Sequence, residues 1–203
     1  MRKTEFSILV SLILSVILCS FSAFASECEN LSENVLRLHV IANDDSESEQ
    51  NLKLKVRDAI LQYGADIFGK ASDKESAVKL SLENLENIKA VCEEVLRENG
   101  SSHNVDVEIT RMFFNTRRYE NFTLPCGEYD ALRVTIGEGK GKNWWCVMFP
   151  PMCISACVDR EELTAVLGEN GETFIEKSPK YTVRFKLLEW AKSLFTKAEK
   201  YEK

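Results

Sequence analysis

The segment Gly137–Cys153, GEGKGKNWWCVMFPPMC, packs three alternating glycines, two adjacent tryptophans, two prolines and two cysteines into seventeen residues. Such a set offers three chemistries: a phosphate grip, a nucleophilic thiol, or a stiff surface that another protein reads. A phosphate loop needs Gly-x4-Gly-Lys-Ser/Thr, so that backbone N–H groups converge on the anion. Here Gly137 and Gly141 are separated by three residues, and Asn143 stands where the hydroxyl residue would be. A dinucleotide fingerprint fails too, because the spacing is Gly-x-Gly-x-Gly and a strand pattern follows. The glycines instead read as a hairpin loop between Ile136 and Trp144.

A nucleophilic Cys146 requires a base that makes its thiolate, ordinarily a histidine. His39 and His103 are the chain's two histidines. His103 falls in a polar turn. His39, which shares a strand face with Arg37, is therefore the base that an exported cysteine-dependent hydrolase or thiol enzyme would pair with Cys146. Against that reading, Cys146 alternates with Trp144 and Met148 on an apolar strand face, where a thiol is packing or half a disulfide. Cys153-x3-Cys157 offers two sulfurs, short of a tetrahedral zinc set. No catalytic residue, metal ligand or cofactor is assigned on these grounds. The Pro150-Pro151 turn makes Cys146–Cys153 a candidate disulfide, with Cys153–Cys157 as its competitor. Strand alternation sends the two indoles to opposite faces. Tryptophan and tyrosine are common interface anchors, so Gly139, Gly141, Asn143, Trp144 and Trp145, with the basic-aromatic spot at Arg117 and Tyr119, form the candidate partner surface.

The elements that must position these residues are legible in the periodicity. Val35–Ala42 alternates as a strand and ends at Asn43-Asp44-Asp45, a turn-forming run. Ser46 with Glu49 forms a capping signature for a helix whose apolar positions run from Leu52 to Ile67, with Gly69 at its end. Ser72 with Glu75 repeats the signature before a second stripe of Val78, Leu82, Leu85, Cys92 and Val95, ending near Gly100. Period two returns from Val105 towards Phe113 and again at Leu132, Val134 and Ile136. Trp144–Phe149 is apolar on both faces, which predicts a central strand. Asp159–Leu167 reads as a short helix. An amphipathic helix is expected at about 183–200, carrying Leu187, Trp190 and Leu194. This order predicts an α+β fold with a mainly antiparallel sheet packed with two long amphipathic helices.

Arg2 and Lys3 precede an uncharged run from Phe6 to Ala25, closed by Ala23-Phe24-Ala25, the pattern a signal peptidase accepts. Twenty such residues also suffice for an uncleaved anchor. Cleavage after Ala25 would leave a single exported domain, 26–203. The net charge of −6, with no basic block, argues against binding nucleic acid or anionic lipid. Six cysteines follow the leader, an even number suited to disulfides in an exported chain; Cys92, in an apolar helical stripe, reads as a buried free thiol.

The segments LRLHVIAND (36–44), LKLKVRDAIL (52–61), FNTRRY (114–119), LPCGEYDALRV (124–134) and IGEGKGKNWWCVMFPPMC (136–153) resemble those of the stage II sporulation protein R family. Cys126 stands where that family usually has a small residue, and Asp44 where serine is common. Beyond Cys157 the likeness is loose. The resemblance implies a non-enzymatic signal, made in the forespore and exported to the space between forespore and mother cell. There it would activate a membrane-embedded aspartic protease that processes pro-sigma-E. It implies no cofactor, nucleic acid or small-molecule substrate. A leader left uncleaved would tether the signal to the membrane.

Overall fold

The computed structural model describes residues 3–119, 123–150 and 185–192. The helix expected over Asp159–Leu167, Cys153 with Cys157, and both ends of the expected C-terminal helix lie outside the described residues. Two compact units are present. One comprises residues 1–32, 115–127 and 174–203, and the other residues 33–114 and 128–173. The fold is α+β with a mainly antiparallel sheet, as the element order predicts.

In the second unit the strands are β1 (Leu36–Ile41), β2 (Val105–Phe114), β5 (Gly127–Ile136) and β6 (Asn143–Phe149), in sheet order β2-β5-β1-β6. β1 runs antiparallel to β6 and parallel to β5. A parallel neighbour needs a long crossover, which the helices α2 (Glu47–Phe68), α3 (Lys74–Glu83) and α4 (Leu85–Glu98) provide together with β2. β6, expected at the centre, lies at the edge of this sheet among the described residues. Its two apolar faces reflect burial above and below the strand, not neighbours on both sides.

Ser46 caps α2 by accepting the Glu49 N–H. The second cap sits one residue later than Ser72 suggests: Asp73 accepts from the Ser76 N–H while the Ser76 hydroxyl returns to the Asp73 backbone. The single second helix expected from Val78 to Val95 is two helices. Asn84 leaves helical geometry at φ −111°, ψ 11°, and its side-chain amide donates to the Leu80 carbonyl. The buried face thereby changes from Ala77 and Ser81 to Ile88, Cys92 and Leu96, leaving Leu82 exposed. One face of the sheet, with Leu38 and Val40 of β1 and Leu132 and Val134 of β5, packs on Val56 and Ile60 of α2 and on Ile88 and Cys92 of α4. Each aliphatic side chain so buried contributes about 1.5–3 kcal/mol. Cys92 is a free, buried thiol, and burial, aided by Glu93, pushes it up to about 12.

The first unit holds α1 (Lys3–Glu33), the short antiparallel pair β3 (Arg117–Arg118) and β4 (Thr123–Leu124), and α5 (185–192). α1 is long and apolar enough to cross a membrane and lies near the N-terminus, as a signal sequence or a membrane anchor would. The helix continues unbroken past Ala25, and Phe24, Cys28 and Leu31 are buried.

Candidate functional site

The loop from Gly137 to Lys142 is fastened to the turn after β1. The Gly137 N–H donates to the Asn104 carbonyl, Gly139 to Ile136, Lys140 to Asn43 and Gly141 to Ala42, at 2.8–3.1 Å. The Glu138 N–H donates to Asn43 Oδ1 at 2.9 Å, and the Lys142 N–H to Asp45 Oδ1 at 2.7 Å. Lys53 of α2 donates to the Lys142 carbonyl at 2.8 Å. Six consecutive backbone donors are thus satisfied inside the protein, and none is left to converge on a phosphate. The glycines are present for approach. A Cβ on Gly141 would sit 2.2 Å from the Asp44 carbonyl oxygen, and one on Gly137, at φ +57°, would sit 2.2 Å from Asn43 Oδ1.

Beyond the loop the indoles diverge, as alternation requires. Trp144 turns to the helix side, where the Arg57 guanidinium lies 4.3 Å above its ring. Trp145 takes the other face, opposite His39 in the β1–β6 register, and stacks on that imidazole at 3.9 Å and 11°. Phe114 meets Trp145 edge-on at 4.9 Å and Tyr129 at 5.6 Å. The Arg37 guanidinium lies 4.0 Å from the Phe114 ring centroid and 5.0 Å from that of Tyr129, a cation held by aromatic faces. His39 Nε2 donates to Asn143 Oδ1 at 2.8 Å. Burial holds the His39 pKa below its usual value; the Arg133 and Arg37 cations add to this, and the Asn143 bond opposes it. The imidazole is therefore neutral near pH 7.

The alternative pairing of Cys146 with His39 fails on this geometry. Cys146 is opposite Leu38 and His39 is opposite Trp145, so the two side chains project from opposite faces of the sheet. Cys146 is also disulfide-bonded and only 4% exposed, and a sulfur in that state is no nucleophile. Cys153, its expected partner, lies outside the described residues. His103, expected in a polar turn, is half-buried, with Nε2 3.3 Å from Glu49 Oε1.

Of the candidate partner surface, Gly139, Gly141, Asn143, Trp144 and Trp145 share the second unit, whereas Arg117 and Tyr119 belong to the first. Arg117, on β3, is exposed, and Tyr119 is half-buried. Sequence reasoning missed Asn43, Asp45 and Lys53 as the loop's fastenings, and Arg37, Phe114 and Tyr129 as companions of the His39–Trp145 stack. The available signal was that IAND and IGEGKGKNWW both lie in segments that resemble the family, 36–44 and 136–153; the structure shows them interlocked.

The family model described as stage II sporulation protein R matches residues 32–159, a span that contains both halves of that interlock. The chain belongs to the stage II sporulation protein R family. It is 31% identical over 187 residues to stage II sporulation protein R of Bacillus subtilis (strain 168), covering 82% of this chain and 84% of that protein. No solved structure matches it. Membership supports a role in sporulation and places the glycine loop, its fastenings and the aromatic stack within the family's shared span.

Proposed function

We propose that this chain is the exported, non-enzymatic signal of sporulation that passes from forespore to mother cell and activates the membrane-embedded aspartic protease that processes pro-sigma-E. The observation that carries this reading is the family match across residues 32–159. The N-terminal apolar helix supports export into the space between the two membranes, whether that helix is cleaved or kept as an anchor.

The mechanism is a population shift. The signal favours the active protease only by binding it more tightly than the inactive form, since equal affinities move nothing. A surface held in one conformation before binding loses little entropy on docking. The fastened loop supports that role: with its backbone donors used internally, it presents side chains. Glu138 and Lys140 stand in solvent, paired at 2.6 Å. They join Arg117, Tyr119 and the half-buried Trp145 as the contacts we assign to the protease.

The test is co-expression of the full chain with the protease and its pro-sigma-E substrate in a cell lacking other sporulation proteins. Processing should appear only when the chain is present. Equal processing without it would remove the signalling role.

A further inference from the structure

We infer that the outward side of α5, carrying Leu187 and Trp190, lies in the interfacial layer of the bilayer that α1 crosses. The partner is thus a lipid surface, and the leader stays attached.

The geometry within the first unit leads there in three steps. The uncharged run Phe6–Ala25 has twenty residues and spans about 30 Å as a helix, the thickness of a bilayer's hydrocarbon core. Its large side chains from Phe6 to Leu18 stand 45–67% exposed, an arrangement suited to lipid and costly in water. Burial then sets in at Phe24, followed by Cys28 and Leu31, so α1 enters protein where its apolar run ends. With Arg2 and Lys3 retained on the cytoplasmic side, Phe24 marks the exported boundary of the hydrocarbon.

Phe185 of α5 lies at that depth, because its ring is 5.4 Å from the Phe24 ring. Phe185 and Leu188 face inward and are buried, while Leu187 is 50% and Trp190 64% exposed. Leu187 and Trp190 are three positions apart and share a helix face. An exposed leucine–tryptophan pair at the boundary of a membrane-spanning helix is the amphipathic anchor expected at headgroup level. Cutting after Ala25 would remove Phe24 and leave Phe185 without this contact. The chain's net charge of −6 supplies no attraction to anionic lipid, so docking is apolar and needs no charged headgroup.

The full chain is reconstituted in phosphatidylcholine vesicles whose acyl chains are brominated near the headgroup, and tryptophan emission is recorded. The chain holds three tryptophans, so single variants identify the quenched one. The wild type should be quenched, Trp145→Phe should keep that quenching, and Trp190→Phe should lose most of it, with no dependence on salt. The inference falls if the wild type is unquenched, if Trp190→Phe is quenched as the wild type is, if Trp145→Phe also loses the effect, or if the chain recovered from its producing cells begins after Ala25. The assay contains no protease, so its failure leaves the signalling role standing.

Discussion

In residues 137–142 the chain meets its own backbone; in residues 143–149 it meets side chains. The loop's bonds run to the turn after β1, to Asn104 before β2 and to Ile136 at the end of β5, at separations that admit no Cβ at Gly141. The strand presents two large rings, one against Arg57 and one against His39 and Phe114. The loop therefore depends on what its residues lack, and the strand on the area its residues supply. Substitution should be all-or-none in the first and graded in the second.

The largest effect is expected at Gly141. A valine there would place Cβ 2.2 Å from the Asp44 carbonyl oxygen and 2.6 Å from its carbon, and backbone atoms cannot swing aside as a side-chain tip can. Gly141→Val should cost roughly 3 kcal/mol or more, in the upper range for single substitutions, read as a drop in urea midpoint and in secreted yield. A midpoint equal to wild type would show the clamp to be loose. Trp145 comes next. Full burial would make Trp→Ala worth about 3–5 kcal/mol; the indole is half-buried, so Trp145→Ala should cost roughly 2 kcal/mol. Trp145→Phe should cost about 1 kcal/mol, because an aromatic stack survives. Equal losses from both variants would mean that the indole makes a contact which a phenyl ring cannot replace.

The contrast also explains what could be read in advance. α2 and β2 announce themselves because burial of one face imposes a period on successive residues; β1 alternates in residue type although every position is buried, and β6 is marked by an apolar run buried above and below. The break at Asn84 does not: Val78, Leu82 and Leu85 keep helical spacing across it, and the Asn84 backbone N–H and side-chain amide both donate to the Leu80 carbonyl, bonds that leave no mark on the apolar pattern. The edge position of β6 was equally hidden, since apolar residues on both faces report covering layers and not hydrogen-bonded neighbours. At the site, opposite placement of the two indoles followed from alternation alone. The clamp did not, because Asn43 and Glu138 are 95 residues apart and a backbone donor meeting a side-chain oxygen leaves no periodic trace. The separation of His39 from Cys146 needed the register, as a slip of one residue would have put them on one face.

A smaller effect should appear on titration. Burial keeps His39 below its ordinary pKa, so the unfolded chain binds the proton more readily than the folded one. The resulting stability is fully present above the unfolded value of about 6.5 and is lost as pH falls from there towards the folded value. Denaturation midpoints should therefore decline as pH falls below about 6.5. His39→Phe, which keeps a ring against Trp145, should flatten that decline. An unchanged slope would assign the proton uptake to another group.

The smallest effect on stability, and the sharpest on the comparison, belongs to Glu138 and Lys140. Both stand out in solvent and pair across the loop tip, where an ion pair adds little. Replacing both by alanine removes no backbone bond of the clamp, so the denaturation midpoint should match wild type within error. If the fastened loop is what the protease feels, pro-sigma-E processing in the co-expression assay should nevertheless fall clearly. Should processing persist unchanged, the loop is scaffolding alone, and recognition would move to Arg117, Tyr119 and Trp145, where single alanine variants would then have to reduce processing by more than their loss of stability explains.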